Sequence, residues 1–267
     1  EMTVSELGLV LVAGMATVAS NVLALYVFTL KQYFPTIAGH LVSASILAAP
    51  ASIVMAKVMM PEDEVPKTLG KHIHPHYEKE SNVFEAIING SMAGAKMILG
   101  IAALLLSVLG LVAMIDVVLG ACGIRLNALL HVNIDWSLKG LAGYLFYPFT
   151  VVLGIPLTDV PLMSKIIGER IVVTEVTSYQ DLAVALAHGS INHFRSAVIG
   201  TYALCGFAHF ASMAIFVGGT ATLAPGRMRA LSKIGLRALV AATLACLMTA
   251  CVAGTFLTNS SVLLGTK

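Results

Sequence analysis

The sequence predicts an all-α polytopic membrane protein whose transmembrane helices are broken and which carries a re-entrant hairpin. Three observations predict it. The chain is 58% hydrophobic and only 11% charged, with a mean hydropathy of +0.89, whereas soluble domains carry about 25% charged residues. Several apolar stretches reach the roughly 20 residues needed to cross a bilayer, yet hold polar groups at their centres. One stretch, 156–188, has no apolar run long enough to cross at all.

The first span, 7–30, is interrupted by Thr17, Ser20 and Asn21; the second, 36–60, has Pro50 in its middle and Pro61 at its end. Residues 61–82 are the most polar of the chain, with three prolines and the run His72-Ile73-His74-Pro75-His76. They read as a solvated loop. His74 and His76 lack a third ligand at metal spacing beyond Glu78, so no metal site is expected. Residues 83–96 read as an amphipathic helix along the membrane surface, closing a 61–96 unit of loop and interfacial helix. A clean scaffold-type span follows at 97–123, with Asp116 near its end.

Residues 134–155 hold the only tryptophan, Trp136, together with Tyr144, Phe146 and Tyr147, a density that suits a membrane interface. In 156–188, Asp159, Lys165, Glu169, Arg170, Glu175 and Asp181 punctuate apolar runs of about ten residues. Two half-length helices turning at Val173-Thr174-Glu175 make a re-entrant hairpin, tolerated where protein or water covers it. Residues 195–258 are read as a second broken span, a basic connector at 225–237 and a last span. The total is four or five full spans and one hairpin. The 61–96 and 225–237 connectors carry four Lys or Arg each, which places both on the cytoplasmic side and the C-terminus outside.

The segment 195–225 is long enough to span, yet Gly206, His209 and Ser212 sit in its middle. Polar groups at mid-depth in a span serve a solute or an ion. His209 and Ser212, three apart, share a helix face; Phe207 joins them only if the helix unwinds near Gly206. Glu175 is a charge at membrane depth that needs a partner, water or a ligand, and Thr174 and Ser178 offer hydroxyls beside it. Thr17, Ser20 and Asn21 interrupt the first span in the same way, where freed carbonyls and hydroxyls can ligate a small cation. Matching breaks in two parts of a chain indicate a repeat-built secondary transporter.

Other chemistries find no support. The net charge is +2 with no basic stripe, which excludes a nucleic-acid partner. The four cysteines, Cys122, Cys205, Cys246 and Cys251, form no CxxC pair and read as buried small hydrophobes. No catalytic motif is present, so neither an enzyme nor an ATP-driven pump is expected and no cofactor is implied.

The order of several blocks resembles the concentrative nucleoside transporter family. They are Tyr202-Ala203-Leu204-Cys205-Gly206-Phe207-Ala208 with Ser212, then Gly218-Gly219 and Leu223-Ala224-Pro225. Gly14-Met15-Ala16-Thr17, Ala48-Ala49-Pro50-Ala51, Gly168 with Thr174-Glu175, and Gly235-Leu236-Arg237-Ala238 add to it. The resemblance implies a homotrimeric, multi-pass integral protein of the plasma or inner membrane that carries nucleosides with sodium or protons by alternating access. It implies that Glu175 binds the ribose hydroxyls, that Ser212 belongs to the ribose contacts, and that Phe207 lies beside the nucleoside. His209 stands where the family usually has Asn, and Thr174 where it often has Asn; Ser20-Asn21 replaces a usual Gly-Ser pair in the cation region. The His209 change implies a more pH-dependent uptake, or protons in place of sodium. The chain opens at Glu1, without Met, and is expected to be a piece that lacks the family's first hairpin. Transport of another polar solute on the same architecture, or a non-transporting scaffold, are the alternative readings.

Overall fold

The computed structural model describes residues 2–67, 69–70 and 80–257, with only the backbone at Asn21 and Pro225. His72, His74 and His76 lie outside the described residues. Among those described, ten α-helices and no strand are found: α1 (Val4–Ala16), α2 (Ser20–Leu30), α3 (Ile37–Met59), α4 (Val83–Leu130), α5 (Leu138–Val152), α6 (Val160–Glu169), α7 (Glu175–Ala187), α8 (Phe194–Leu204), α9 (Phe210–Leu223) and α10 (Met228–Phe256).

Local chemistry sets the boundaries. Thr3 and Glu6 form a reciprocal capping box at the start of α1, closing two of the N–H groups that a helix start leaves open. Thr17 then leaves the helix for extended backbone at φ −105, ψ 162, which makes the first break. Asn82 caps α4 by accepting from the Glu85 amide at 2.9 Å. Asp116, inside α4, accepts the Leu138 amide at 2.6 Å and so fixes where α5 starts. In the short loop between them the Ser137 hydroxyl holds the Asp135 carboxyl below its usual range. Pro161 in the first turn of α6 suits a position whose N–H would be unpaired anyway.

Two boundaries differ from the sequence reading. No break separates 83–96 from 97–123: α4 is one helix of 48 residues. The basic stretch at 225–237 is not a connector, since a short 3-10 turn at Pro225–Arg227 leads straight into α10 at Met228. Leu231, Ile234, Gly235 and Ala238 are buried there, which is the i, i+3, i+4, i+7 stripe of a packed helix. Arg229, Lys233 and Leu236 face outward.

The core has two parts. One joins α2, the first half of α3, α6, α7, α8 and the end of α10. The other joins α1, the second half of α3, Ala208, Ala221 and the first half of α10. Each broken helix thus puts one half in each core, and both breaks lie on the seam. They cross there: a Cβ on Gly206 would stand 3.0 Å from the Ala16 carbonyl oxygen. Gly206 has an ordinary φ, so the glycine is required for close approach and not for backbone conformation.

Three helices, α3, α4 and α10, are long and apolar enough to cross a membrane. The most apolar window of α4 has none of its residues buried. The hairpin arms, α6 of 10 residues and α7 of 13, measure roughly 15 and 20 Å at 1.5 Å per residue. Neither reaches across roughly 30 Å of hydrocarbon.

Candidate functional site at the hairpin tip

The tip between α6 and α7 is stitched into the break between α8 and α9. Arg170 donates through Nη1 to the Ala203 carbonyl, in the last turn of α8. The Phe210 amide, first of α9, donates to the Ile171 carbonyl at 3.1 Å. At the base of the hairpin the buried Asp159 carboxylate accepts from the Ser196 hydroxyl at 2.6 Å and from the Asn192 and His193 amides at 3.1 and 3.0 Å. The tip and the base of the hairpin are therefore both tied to the α8–α9 unit and the segment that leads into it.

Glu175 opens α7 and is 1% exposed. Its Oε1 accepts from the Tyr26 hydroxyl at 2.6 Å. Tyr26 is on α2, beyond the first break, and its ring stacks on Tyr179 with centroids 4.3 Å apart. The Tyr179 hydroxyl donates to the Thr201 carbonyl at 2.8 Å. The site is thus built by both broken helices and the hairpin.

His209 is the N-cap of α9. Its Nδ1 accepts from the Ser212 amide at 3.1 Å, so the neutral ring carries its proton on Nε2. That Nε2 comes within 3.1 Å of Glu175 Oε2. The pair is close enough for an ion pair, but the ring N–H is not aimed along the line, and neither atom has a hydrogen-bond partner. Ser178, one turn along α7, also has a buried hydroxyl without a partner. Glu175 Oε2 and His209 Nε2 thus face each other in the interior without a hydrogen bond, and α7 carries a further buried hydroxyl, Ser178, that also lacks one. Leaving such groups unpaired costs about 1–3 kcal/mol each.

The other residues singled out from the sequence fall as follows. Phe207 packs edge-on against the His209 ring, centroids 4.7 Å apart. Ser212 is fully buried, and its hydroxyl closes a capping box, accepting from the His209 amide at 2.9 Å and donating to the His209 carbonyl at 2.7 Å. Thr174 is the N-cap position of α7 without a side-chain cap; its hydroxyl lies 3.4 Å from that of Thr177. Thr17 donates to the Ala13 carbonyl at 2.8 Å and so closes the end of α1, while Ser20 is exposed at the start of α2. The side chain of Asn21 is outside the described set. No group of three or more His, Cys, Asp or Glu side chains converges among the described residues.

Sequence reasoning passed over Tyr26 and Arg170, and took Ser178 only as a neighbour of Glu175. Two signals were available. A phenol inside an apolar span needs a partner for its O–H, and an arginine between two half-length helices cannot shed its charge.

Residues 40–254 match the family model described as Na+ dependent nucleoside transporter C-terminus. The chain is 34% identical over 266 residues to solute carrier family 28 member 3 of Mus musculus, covering 95% of this chain and 36% of that protein. Against sodium/nucleoside cotransporter 1 of Rattus norvegicus the identity is 30% over 267 residues, covering 95% and 40%. Against an uncharacterized transporter of Haemophilus influenzae it is 34% over 262 residues, covering 96% and 60%. The chain thus spans between about a third and three fifths of the curated relatives it matches. A doubly substituted variant of CNTnw in an outward-facing state superposes with a TM-score of 0.81 at 32% identity, over 96% of this chain and 59% of that one. For CNTnw in an inward-facing substrate-bound state the TM-score is 0.70 at 31% identity, over 96% and 58%. The fold read from the sequence, all helical with broken spans and a half-length hairpin, is the fold shared with these structures. The match over 40–254 covers the hairpin and the second break, and on it this chain belongs to the Na+ dependent nucleoside transporter family.

Proposed function

We propose that this chain forms the sugar-reading part of a cation-coupled nucleoside symporter of the cell membrane. The observation that carries the reading is the pair of buried, unpartnered atoms Glu175 Oε2 and His209 Nε2, 3.1 Å apart between a hairpin tip and a helix break. A hydroxyl placed against both donates to the carboxylate and accepts from the ring N–H, satisfying all three groups at once. Tyr26 already holds Oε1, so the carboxylate presents one free oxygen and reads one sugar hydroxyl, with the Ser178 hydroxyl beside it for a second. The Phe207 ring, against His209, offers an apolar face to the rest of the nucleoside.

Sodium is the coupling cation that the family description favours. Freed backbone around Thr17–Ala19, at the first break, is the place in this chain where it would bind. The unburied apolar surface of α4 supports a place against lipid and against two further copies in a homotrimer. Ser212 contributes by setting the His209 ring.

The test is uptake of tritiated uridine by the full-length protein in cells without nucleoside uptake of their own. Glu175→Gln keeps the shape and removes the charge. A charge-assisted hydrogen bond is worth about 1.5–3 kcal/mol, so uridine KM rises about 10–100-fold. An unchanged KM, or uptake competed by free bases as well as by nucleosides, refutes the assignment.

A further inference from the structure

Arg170 is one of the largest fully buried side chains of the protein, at 0% exposure. Of its donors, only Nη1 has a partner, the Ala203 carbonyl; Nε and Nη2 have none. No carboxylate lies within ion-pair distance of it among the described residues. A guanidinium stays charged at any accessible pH, and a buried charge needs compensation. The compensation available is the end of α8, where carbonyl dipoles sum to a partial negative charge.

The four last carbonyls of α8 are all answered. Thr201 accepts from the Tyr179 hydroxyl, Tyr202 from the Cys205 amide, Ala203 from Arg170 and Leu204 from the Gly206 amide. Two of the four donors are hairpin side chains. Arg170 precedes Glu175 by five residues, with the Val172 and Val173 amides bonded back to Glu169 at 2.9 Å each. The turn is therefore stiff. Anchoring Arg170 to α8 and Ile171 to α9 fixes where the Glu175 carboxylate points.

We infer that Arg170 is a positioning residue that holds Glu175 against His209 by bolting the hairpin tip to the end of α8, and that it thereby sets affinity for the sugar. The inference rests on the proposed nucleoside reading of the site. Arg170 does not touch the substrate; it acts through Glu175. Lysine in its place keeps the charge but supplies a point donor on a more flexible stem, so it restores the bolt in part.

The experiment is the concentration dependence of tritiated uridine uptake in the full-length transporter, normalised to transporter at the cell surface. Arg170→Gln raises KM about tenfold with Vmax per transporter nearly unchanged, and Arg170→Lys raises it about threefold, the split expected of lost binding geometry. A merely structural residue lowers the amount of transporter and leaves KM where it was. If the glutamine variant does not reach the surface, the lysine variant decides: a raised KM supports the inference and an unchanged one overturns it. Wild-type protein that accumulates no uridine sinks the nucleoside reading itself. Wild-type uptake that is weakened by Glu175→Gln but has the same KM in both Arg170 variants sinks only the role of Arg170.

Discussion

Replacing Gly206 by alanine tests the crossing of the two helix breaks. The added Cβ would stand 2.4 Å from Cys246 Sγ, 3.0 Å from the Ala16 carbonyl oxygen and 3.3 Å from its carbon. The sulfur contact is short by more than 1 Å of ordinary van der Waals distance, the oxygen contact by about half an ångström. The sulfur belongs to a side chain and can turn or be removed; the carbonyl is backbone at the end of α1 and cannot. Overpacking of this kind costs about 1–3 kcal/mol. Gly206→Ala is therefore expected to destabilise by about 2 kcal/mol, read as the shift in denaturant midpoint of the purified full-length protein in detergent. Cys246→Ala alone costs about 1 kcal/mol through lost packing. Combined with Gly206→Ala it removes the nearer clash, so the double variant is less unstable than the two single costs added, by about 1 kcal/mol of coupling. Additive costs would show that the breaks do not meet at this sulfur. A stability unchanged by Gly206→Ala would refute the crossing altogether.

Further outcomes follow from the same contacts. Tyr26→Phe removes the donor to Glu175 Oε1 and frees that oxygen for a second sugar hydroxyl; discrimination between uridine and 2′-deoxyuridine shifts by about 1 kcal/mol, roughly fivefold in the KM ratio, and an unchanged ratio refutes the one-oxygen reading. His209→Asn keeps a good N-cap, so the protein folds, while the ring Nε2 that stands 3.1 Å from Glu175 Oε2 is lost; uridine KM changes by about fivefold, and an unchanged KM removes His209 from the site. Asp159→Ala strands the Asn192 and His193 amides and the Ser196 hydroxyl, which costs about 3 kcal/mol in denaturant unfolding; a loss under about 1 kcal/mol would show that the hairpin base is held elsewhere. His40, buried between Phe34 and Tyr202, has both ring nitrogens unpaired. His40→Leu removes that penalty and is neutral or stabilising by about 1 kcal/mol, and a clear destabilisation would reveal a hydrogen-bonded role for the ring.

Much of the fold was legible because lipid makes the sequence pattern strict. Thr17 and Ser20 inside one apolar stretch, and Gly206 and His209 inside another, marked both breaks to within a few residues. Apolar runs too short to cross marked the hairpin. The stretch 83–96 was set apart as an amphipathic surface helix, yet a helix keeps all its hydrogen bonds within itself and α4 runs through it unbroken. The start of α10 was misplaced because the cations of 227–237 outweighed the apolar stripe at Leu231, Ile234 and Ala238. The site was only half legible. Glu175 and His209 announced themselves as polar groups at depth. Their meeting did not, nor did Tyr26, which reaches Glu175 across 149 residues of sequence. Ser212 was placed by resemblance among the sugar contacts; that its hydroxyl also closes the cap of α9 on the His209 backbone was not legible.

A helix broken inside a membrane must account for every backbone group it frees, because lipid supplies no partner. At the second break the protein's own atoms meet much of that demand. The last carbonyls of α8 are taken by Tyr179, Arg170 and the turn itself. At the start of α9, the Phe210 amide goes to Ile171 and the Ser212 amide to His209 Nδ1. If the break were only a kink filled by a hairpin, the side chains at its centre would be satisfied as well. They are not: Glu175 Oε2, His209 Nε2 and the Ser178 hydroxyl are buried without a hydrogen-bond partner beside these bonded backbone groups. The hairpin therefore takes up backbone groups at both sides of the break and leaves side-chain donors and acceptors over, which is the arrangement a site needs if a hydroxylated solute is to complete it.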